Sequence, residues 1–197
     1  DMAVKAPIRA VFPPTWTGCF VGGNIGGGWQ NTHTVYWEYQ GKIQNQDGGS
    51  HSGSGVVGGG QVGCDYQMGT WVLGLHGMFD WANMKGSNIY PGNSPETLTT
   101  KAKWFGTLTG RFGYTVESNT LAYVKGGAAW IRNDYQDVYA SAYDGRASET
   151  LSGWTIGGGL EHMLHHNWSV FAEYNYASFD SHHVLIVDSL GHYDSWI

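Results

Sequence analysis

Apolar and polar residues alternate along a stretch near the C-terminal end of the chain. In residues 151–164, Trp154 and Leu160 fall on one set of alternate positions and Glu161 falls on the other. After a short turn, residues 168–176 repeat the pattern. A period of two is typical of β-strands with two different faces. A soluble β-sandwich fits this stretch, and so does a membrane barrel that turns its apolar face to lipid.

The same alternation predicts five earlier strands. Each has one aromatic or aliphatic face and one small or polar face, as the two strands of the first stretch do. We predict these strands at residues 16–29, 53–68, 71–81, 101–116 and 120–131.

The predicted connections between the strands alternate in length. Short turns are expected near residues 69, 117 and 165. An up-and-down outer-membrane barrel has this asymmetry, whereas a Greek-key sandwich gives no reason for it. The long polar connections are expected at residues 30–52, 82–100 and 133–147.

Seven strands with this rhythm predict an eighth, because an open sheet edge cannot lie in lipid. We therefore predict an all-β fold, an up-and-down antiparallel eight-stranded transmembrane β-barrel over residues 16–197. Residues 1–15 contain three of the five prolines and are expected to form an extended N-terminal arm. The chain starts at Asp1 without an initiator Met, which we interpret as a mature end after removal of a signal peptide.

The predicted eighth strand is the weakest element. Residues 184–187 are apolar without alternation, and residues 180–197 fit the long loop that the rhythm requires at this place. We expect the closing strand to be weak or missing in this chain. A second copy of the chain or another protein could then cover the open sheet edge by strand pairing.

Composition supports the membrane interpretation. The chain contains 31 glycines, aromatic residues make up 15% and charged residues only 13%, which is unusual for a soluble enzyme. No run of about 18 apolar residues is present, so no transmembrane helix is expected. The net charge of −6, without a basic cluster, argues against nucleic acid as a partner.

Several blocks of the sequence resemble one family. WTGCFVGGNIGGGW, GGGQVGCDYQ, WFGTLTGRFGY and NWSVFAEYNY are similar to the small porin-like outer-membrane proteins of alphaproteobacteria, in the OmpA-like β-barrel domain superfamily. The matching blocks cover most of residues 16–179 in order. The resemblance implies an eight-stranded barrel in a Gram-negative outer membrane, with a periplasmic N-terminus and contacts to lipid and lipopolysaccharide. Family members are described as structural and immunogenic surface proteins, as haemin binders or as small pores.

Charged side chains recur on the polar faces, which would converge on a narrow lumen. Side chains nearly fill the interior of an eight-stranded barrel, and buried charges must be paired. We favour a structural ion-pair network over the alternative, a narrow ion path. Its predicted members are Asp65, His76, Asp80, Lys103, Arg111, Lys125, Glu161 and Glu173.

Nine histidines are scattered along the chain without the spacing of a metal motif, so we predict no metal site. We also expect no cofactor. The alternative is haem, because the family implies haemin binders, and His182 and His183 would then be the candidate contacts in an outer loop. These two residues are adjacent, so on a strand they point to opposite faces and could not share one metal.

The two cysteines, Cys19 and Cys64, fall opposite each other if the first two strands form a hairpin. An oxidising periplasm permits a disulfide. Neither residue belongs to a CxxC motif, so redox catalysis has little support. We predict cross-strand neighbours, bonded or free.

Catalysis has weak support in the sequence. Ser169, near His166 and Glu173, is the nearest approach to a nucleophile with its base and acid. We predict no catalytic residues and no enzymatic activity. The favoured function is a structural surface barrel, which could act as a very narrow porin; a haem or ligand receptor is the first alternative, and a lipid-modifying enzyme ranks last.

Overall fold

The chain forms one antiparallel sheet that curls around a common interior. The computed structural model describes residues 15–39, 42–89, 96–139, 143–165, 167–180, 183–188 and 191–196, with side chains for 15–31, 52–84, 101–134, 148–165 and 167–180. The strands are β1 Gly18–Tyr39, β2 Lys42–Met68, β3 Trp71–Ile89, β4 Glu96–Glu117, β5 Thr120–Tyr139, β6 Tyr143–His165, β7 Trp168–Phe179, β8 His183–Asp188 and β9 Gly191–Trp196.

Each of the first seven strands pairs antiparallel with its neighbours in sequence, in the order β7-β6-β5-β4-β3-β2-β1-β9-β8. The fold is therefore all-β and up-and-down, as predicted. Of the predicted arm at residues 1–15, only Thr15 lies among the described residues. In the described part of the chain there is no helix that is long and apolar enough to cross a membrane.

Two of the predicted short turns are seen directly, at residues 69–70 and 118–119, and the third connection follows His165. Gly69 has a positive φ of 64°, a conformation that glycine adopts without steric cost. We call this end of the sheet the short-turn end and the opposite end the loop end.

The prediction of long loops at residues 30–52, 82–100 and 133–147 is wrong. The strands continue through most of these segments, and the β1–β2 pairing extends as far as Tyr39 opposite Lys42. Antiparallel backbone pairing does not require an apolar face. Alternation therefore fails to mark a strand where both of its faces are polar.

The predicted faces are confirmed along the middle of the strands. Asp65, Val72 and Lys125 are buried, whereas the large apolar residues at the alternate positions of the same strands point outward. An outward belt of this kind is typical of strands that face lipid. Its most exposed members are Val21, Ile25, Trp29, Leu75, Trp81, Trp168 and Tyr174.

The C-terminal segment does not close the sheet. β8 and β9 form a hairpin, and β9 pairs with β1 only at the loop end, where Val35 lies opposite Trp196 and Glu38 opposite Asp194. Among the described strands, β7 pairs with β6 alone. The prediction of a barrel whose eighth strand is weak or missing is confirmed.

Candidate functional site

Four charged or titratable side chains meet inside the sheet near the short-turn end. Arg111 of β4 contacts Asp65 of β2 at 3.3 Å and Glu161 of β6 at 2.5 Å. His76 of β3 lies 3.1 Å from the second carboxylate oxygen of Asp65. Alternation places these residues on the inner face of their strands. One guanidinium group therefore bridges two carboxylates across five strands.

A second cluster lies beside the first. The Lys125 ammonium group is 2.5 Å from the Glu173 carboxylate. The Tyr123 hydroxyl donates to the same carboxylate at 2.9 Å, and the Asn175 amide donates to it at 2.7 Å. The ring of Tyr123 also lies 3.9 Å below the Arg111 guanidinium group, a cation–π contact that joins the two clusters.

Asp80 of β3 completes the polar interior. Its carboxylate accepts a hydrogen bond of 2.8 Å from the amide of Asn24 on β1. The side-chain amide oxygen of Asn24 is buried, and no donor reaches it from the described residues.

Two glycines make room for these clusters. A Cβ atom at Gly63 would lie 2.7 Å from the rings of both Phe20 and His76. A Cβ atom at Gly74 would overlap the carboxylate of Asp65. Larger residues at either position would displace the side chains that form the first cluster.

Lys103 is a correction to the predicted set, because it does not face the interior. A bulge shifts the β4–β5 register between Ala102 and Trp104 and turns Lys103 outward. Its ammonium group pairs with Asp134 at 3.0 Å, and 47% of the side chain is exposed. The structure brings the other seven predicted residues together in the interior.

Polar residues without charge were not among the predicted members of the network. Tyr123, Asn24 and Asn175 each contact a charged member, and Ser169 donates to Glu161 at 2.6 Å. Alternation did place all four on the inner faces. Their roles depend on cross-sheet distances, which one strand's pattern does not contain.

An apolar cap closes the interior at the short-turn end. Val72 and Leu121 are fully buried beside the turns, with Trp16, Tyr123 and Met163 packed against them. The Trp16 backbone N–H donates to the Gln67 side chain at 2.9 Å, which fixes the start of the described chain over the opening.

The interior toward the loop end is apolar, which the sequence did not predict. Its buried members lie on the inner faces of β3 to β6, partly in segments that were expected to be loops. Three of them, Met84, Ile131 and Leu151, line a cavity of about 1410 Å³ together with residues of β1 and β7. The cluster consists of Ala82, Met84, Ala102, Ile131 and Leu151, with Val57, Phe105 and Phe179 against it.

The two cysteines lie opposite each other in the β1–β2 pairing and form a disulfide. Both are on the outward face, near the short-turn end. The bond joins the edge strand β1 to β2.

No catalytic arrangement forms around Ser169 in the described residues. Its hydroxyl group donates to Glu161. The carboxylate of Glu173 is paired with Lys125 and accepts hydrogen bonds from Tyr123 and Asn175. His166 lies outside the described residues.

The described residues contain no group of three or more His, Cys, Asp or Glu that could hold a metal ion. His182, one of the two candidate haem contacts, lies outside the described residues. His183 begins β8, but its side chain is not described. Haem binding therefore stays a prediction.

The chain was compared with protein families, with curated proteins and with solved structures. The family described as outer membrane protein beta-barrel domain matches residues 14–194. Two proteins named 31 kDa outer-membrane immunogenic protein, from Brucella melitensis and Brucella suis, are each 29% identical over 200 residues, covering 96% of this chain and 83% of theirs. The crystal structure of Ail, the attachment invasion locus protein of Yersinia pestis, aligns with a TM-score of 0.40 and 13% identity, over 91% of this chain and 94% of that one.

Proposed function

Since the chain belongs to the outer membrane protein beta-barrel domain family, we propose that it is a structural surface protein of the outer membrane whose interior passes no solute. The observation that carries this proposal is the position of Arg111, which is 3% exposed and held between Asp65 and Glu161. Eight-stranded barrels have interiors that side chains nearly fill. A guanidinium group fixed between two strands occupies the cross-section through which an ion would have to move.

The apolar cap supports the same proposal. Leu121 and Val72 are fully buried at the short-turn end, below the charged clusters. A solute would have to pass an apolar constriction and then the ion-pair network. A narrow porin, the alternative within the same class, would need both to open.

The outward belt supports contact with outer-membrane lipid and lipopolysaccharide. The strands expose Trp, Leu and Tyr side chains along the faces that alternate with the interior. We further propose that the short-turn end, where the described chain begins at Thr15, faces the periplasm, because short turns are typical of that side. The Brucella relatives are named immunogenic, which supports exposure of the loop end at the cell surface.

We propose no enzymatic role. The relatives are named as outer-membrane proteins and not as enzymes. The Ser169 hydroxyl group donates to Glu161, and the same carboxylate is paired with Arg111, so it is already engaged in the first cluster.

Conductance in planar lipid bilayers tests the sealed interior. We expect protein purified from outer membranes to insert without steady conductance steps. A double substitution, Arg111→Ser with Lys125→Ser, is expected to open a cation-selective path, because the interior would keep its carboxylates and lose the cations that neutralise them.

Lys103→Ser is the matched control, since it removes an exposed cation outside the interior. Circular dichroism would verify that every variant keeps its β-structure. Steady conductance of the unsubstituted chain, equal to that of the double variant, would contradict the proposal.

A further inference from the structure

Two bands of aromatic side chains lie on the outward faces of β3 and β4. Near the short-turn end, the ring of Trp71 stacks on Phe112 with centroids 5.0 Å apart. Ten positions farther along β3, Phe79 lies between Trp81 and Trp104, with centroids 5.3 Å and 5.6 Å away. Since barrel strands rise about 3.4 Å per residue and tilt by about 40°, the two bands are about 25 Å apart. Aromatic girdles with this separation mark the two surfaces of an outer membrane.

Three cationic side chains lie just beyond the loop-end band. Arg132 of β5 is directly opposite Trp104, and Lys101 is three positions beyond Trp104 on β4, with Lys103 between them. All three are outward, because the residues that alternate with them, such as Ala102, are buried in the interior. We call Lys101, Lys103 and Arg132 the basic patch.

The basic patch concentrates the outward lysine and arginine side chains on one side of the sheet. Among the described side chains, the only other members of these two residue types are Arg111 and Lys125, which are buried and paired with carboxylates. At the level of the patch, the outward faces of β2 and β6 carry the uncharged Ser54 and Thr150. The excess of positive charge is therefore confined to the face formed by β3, β4 and β5.

One carboxylate neutralises part of this charge. Asp134 pairs with Lys103 at 3.0 Å and lies directly opposite Lys101 in the β4–β5 pairing. Arg132 donates a hydrogen bond of 3.0 Å to the hydroxyl group of Ser148, which is a neutral partner. Three cations and one carboxylate leave an excess of two positive charges, which an anion from outside the chain would balance.

Strand pairing places a fourth lysine at the same level. Lys85 of β3 lies directly opposite Lys101 in the β3–β4 pairing. Two like charges at directly opposite positions destabilise an antiparallel pair. A bound anion would offset this cost, so the register of β3 on β4 independently favours an anionic ligand at the basic patch.

The position of the patch defines the chemistry of the ligand. Arginine binds phosphate through its planar fork of donors, and lysine binds it as a point charge. Directly below the patch, the outward face is apolar and includes Trp104 and Leu108. A ligand that uses both regions has a phosphorylated head group above acyl chains.

We propose that the basic patch binds a phosphate group of one lipopolysaccharide molecule, whose acyl chains lie along the outward faces of β3, β4 and β5. The inference rests on the proposed function, in which the loop end lies at the cell surface and its aromatic band therefore lies in the outer leaflet. It adds a defined site to the general contact between the belt and lipid.

Titration with lipid A, the phosphorylated and acylated anchor of lipopolysaccharide, tests the proposal. Protein purified from outer membranes is freed of bound lipid in detergent, and binding is followed by tryptophan fluorescence, because Trp104 adjoins the patch. We expect saturation at one lipid A per chain. Lipid A without its phosphates should bind about 30-fold more weakly, and inorganic phosphate should not compete, because it has no acyl chains.

Substitutions of opposite sign make the test specific. Lys101→Gln with Arg132→Gln should weaken binding about 30-fold, since each basic residue at a charged membrane surface contributes about fivefold. Asp134→Asn removes the competing carboxylate and should strengthen binding about fivefold. Circular dichroism would verify that every variant keeps its β-structure.

Lys42→Gln with Arg146→Gln is the matched control, because it removes the same charge from strand positions farther from the belt. This pair should leave lipid A binding unchanged. An equal loss in the control pair would mean that net charge alone attracts the lipid, and unchanged binding after Lys101→Gln with Arg132→Gln would exclude the patch.

Two other ligands separate the alternatives. Equal affinity for phosphatidylglycerol would mean a surface for any anionic lipid, and competition by inorganic phosphate would mean a site for a soluble anion; either result overturns the inference. The titration does not involve conductance. The sealed interior can therefore fail while the lipid site holds, and the lipid site can fail while the interior stays sealed.

Discussion

The two halves of the interior are built differently. Beside the short turns, Arg111 is enclosed by carboxylates and the cap around Leu121 excludes water. Toward the loop end, the wall is the apolar cluster around Met84 and Ile131, and it borders the cavity. The ion pairs of Arg111 thus lie beside the cap, while Asp80 and Glu173 of the same network also line the cavity. A lost partner beside the cap leaves a buried charge, whereas a lost methyl group beside the cavity leaves only more open space.

Among substitutions in the two halves of the interior, Arg111→Ala is expected to have the largest effect on stability. It leaves Asp65 and Glu161 without a cation in the closed half, and the free energy of unfolding should fall by about 4 kcal/mol. Urea unfolding of the refolded protein, followed by tryptophan fluorescence, measures the loss. Arg132→Ala, an exposed arginine that donates to Ser148, is the control and should change stability by less than about 0.5 kcal/mol.

Removal of the disulfide with Cys19→Ser and Cys64→Ser should cost about 3 kcal/mol, because the bond closes a long stretch of the unfolded chain. The bond links β1 to β2 near the short-turn end of the sheet. Unfolding midpoints with and without a reductant provide the measurement. If the reductant did not change the unfolding midpoint of the unsubstituted protein, this would contradict a disulfide bond in solution.

A matched pair of truncations compares the two halves directly. Leu121→Ala in the cap should destabilise by about 3 kcal/mol, and Ile131→Ala beside the cavity by about 2 kcal/mol. Leu121 is fully buried among packed neighbours, whereas Ile131 lines the cavity. Urea unfolding of both variants in the same detergent measures the difference. A larger loss for Ile131→Ala would reverse the comparison.

The smallest effect is expected outside the interior. Lys103→Ala removes an exposed ion pair with Asp134 and should cost about 0.5 kcal/mol or less. High salt should reduce even this difference, since exposed pairs are screened. A cost equal to that of Arg111→Ala would show that Lys103 faces the interior after all.

Alternation along single strands was enough to predict much of the architecture. The outward positions of Leu73 and Phe112 and the inward positions of Asp65 and Lys125 follow from the period of two alone. These residues lie where one face meets the interior and the other the outer belt, so the two faces differ in polarity. The turn at Gly69 was equally visible, since glycine interrupts the pattern there.

Other features of the fold leave no periodic pattern in the sequence. The bulge beside Lys103 adds one residue to a strand, and the sequence on either side of it still alternates. Ala82 and Met84 belong to the interior, but they were assigned to a polar loop because the residues that follow them are polar. The pairing of Trp196 with Val35 depends on a contact between the two ends of the chain, which no local pattern encodes.

Tyr123 takes part in the cap, lies under the Arg111 guanidinium group and donates to Glu173. Substitutions in these three environments share one neighbour, so their energetic effects should not be additive. A double-mutant cycle between Arg111 and Lys125, which lie directly opposite each other on β4 and β5, should show a coupling energy that becomes smaller when Tyr123 is replaced by Leu. The closed half would then unfold as one cooperative unit and not as separate ion pairs.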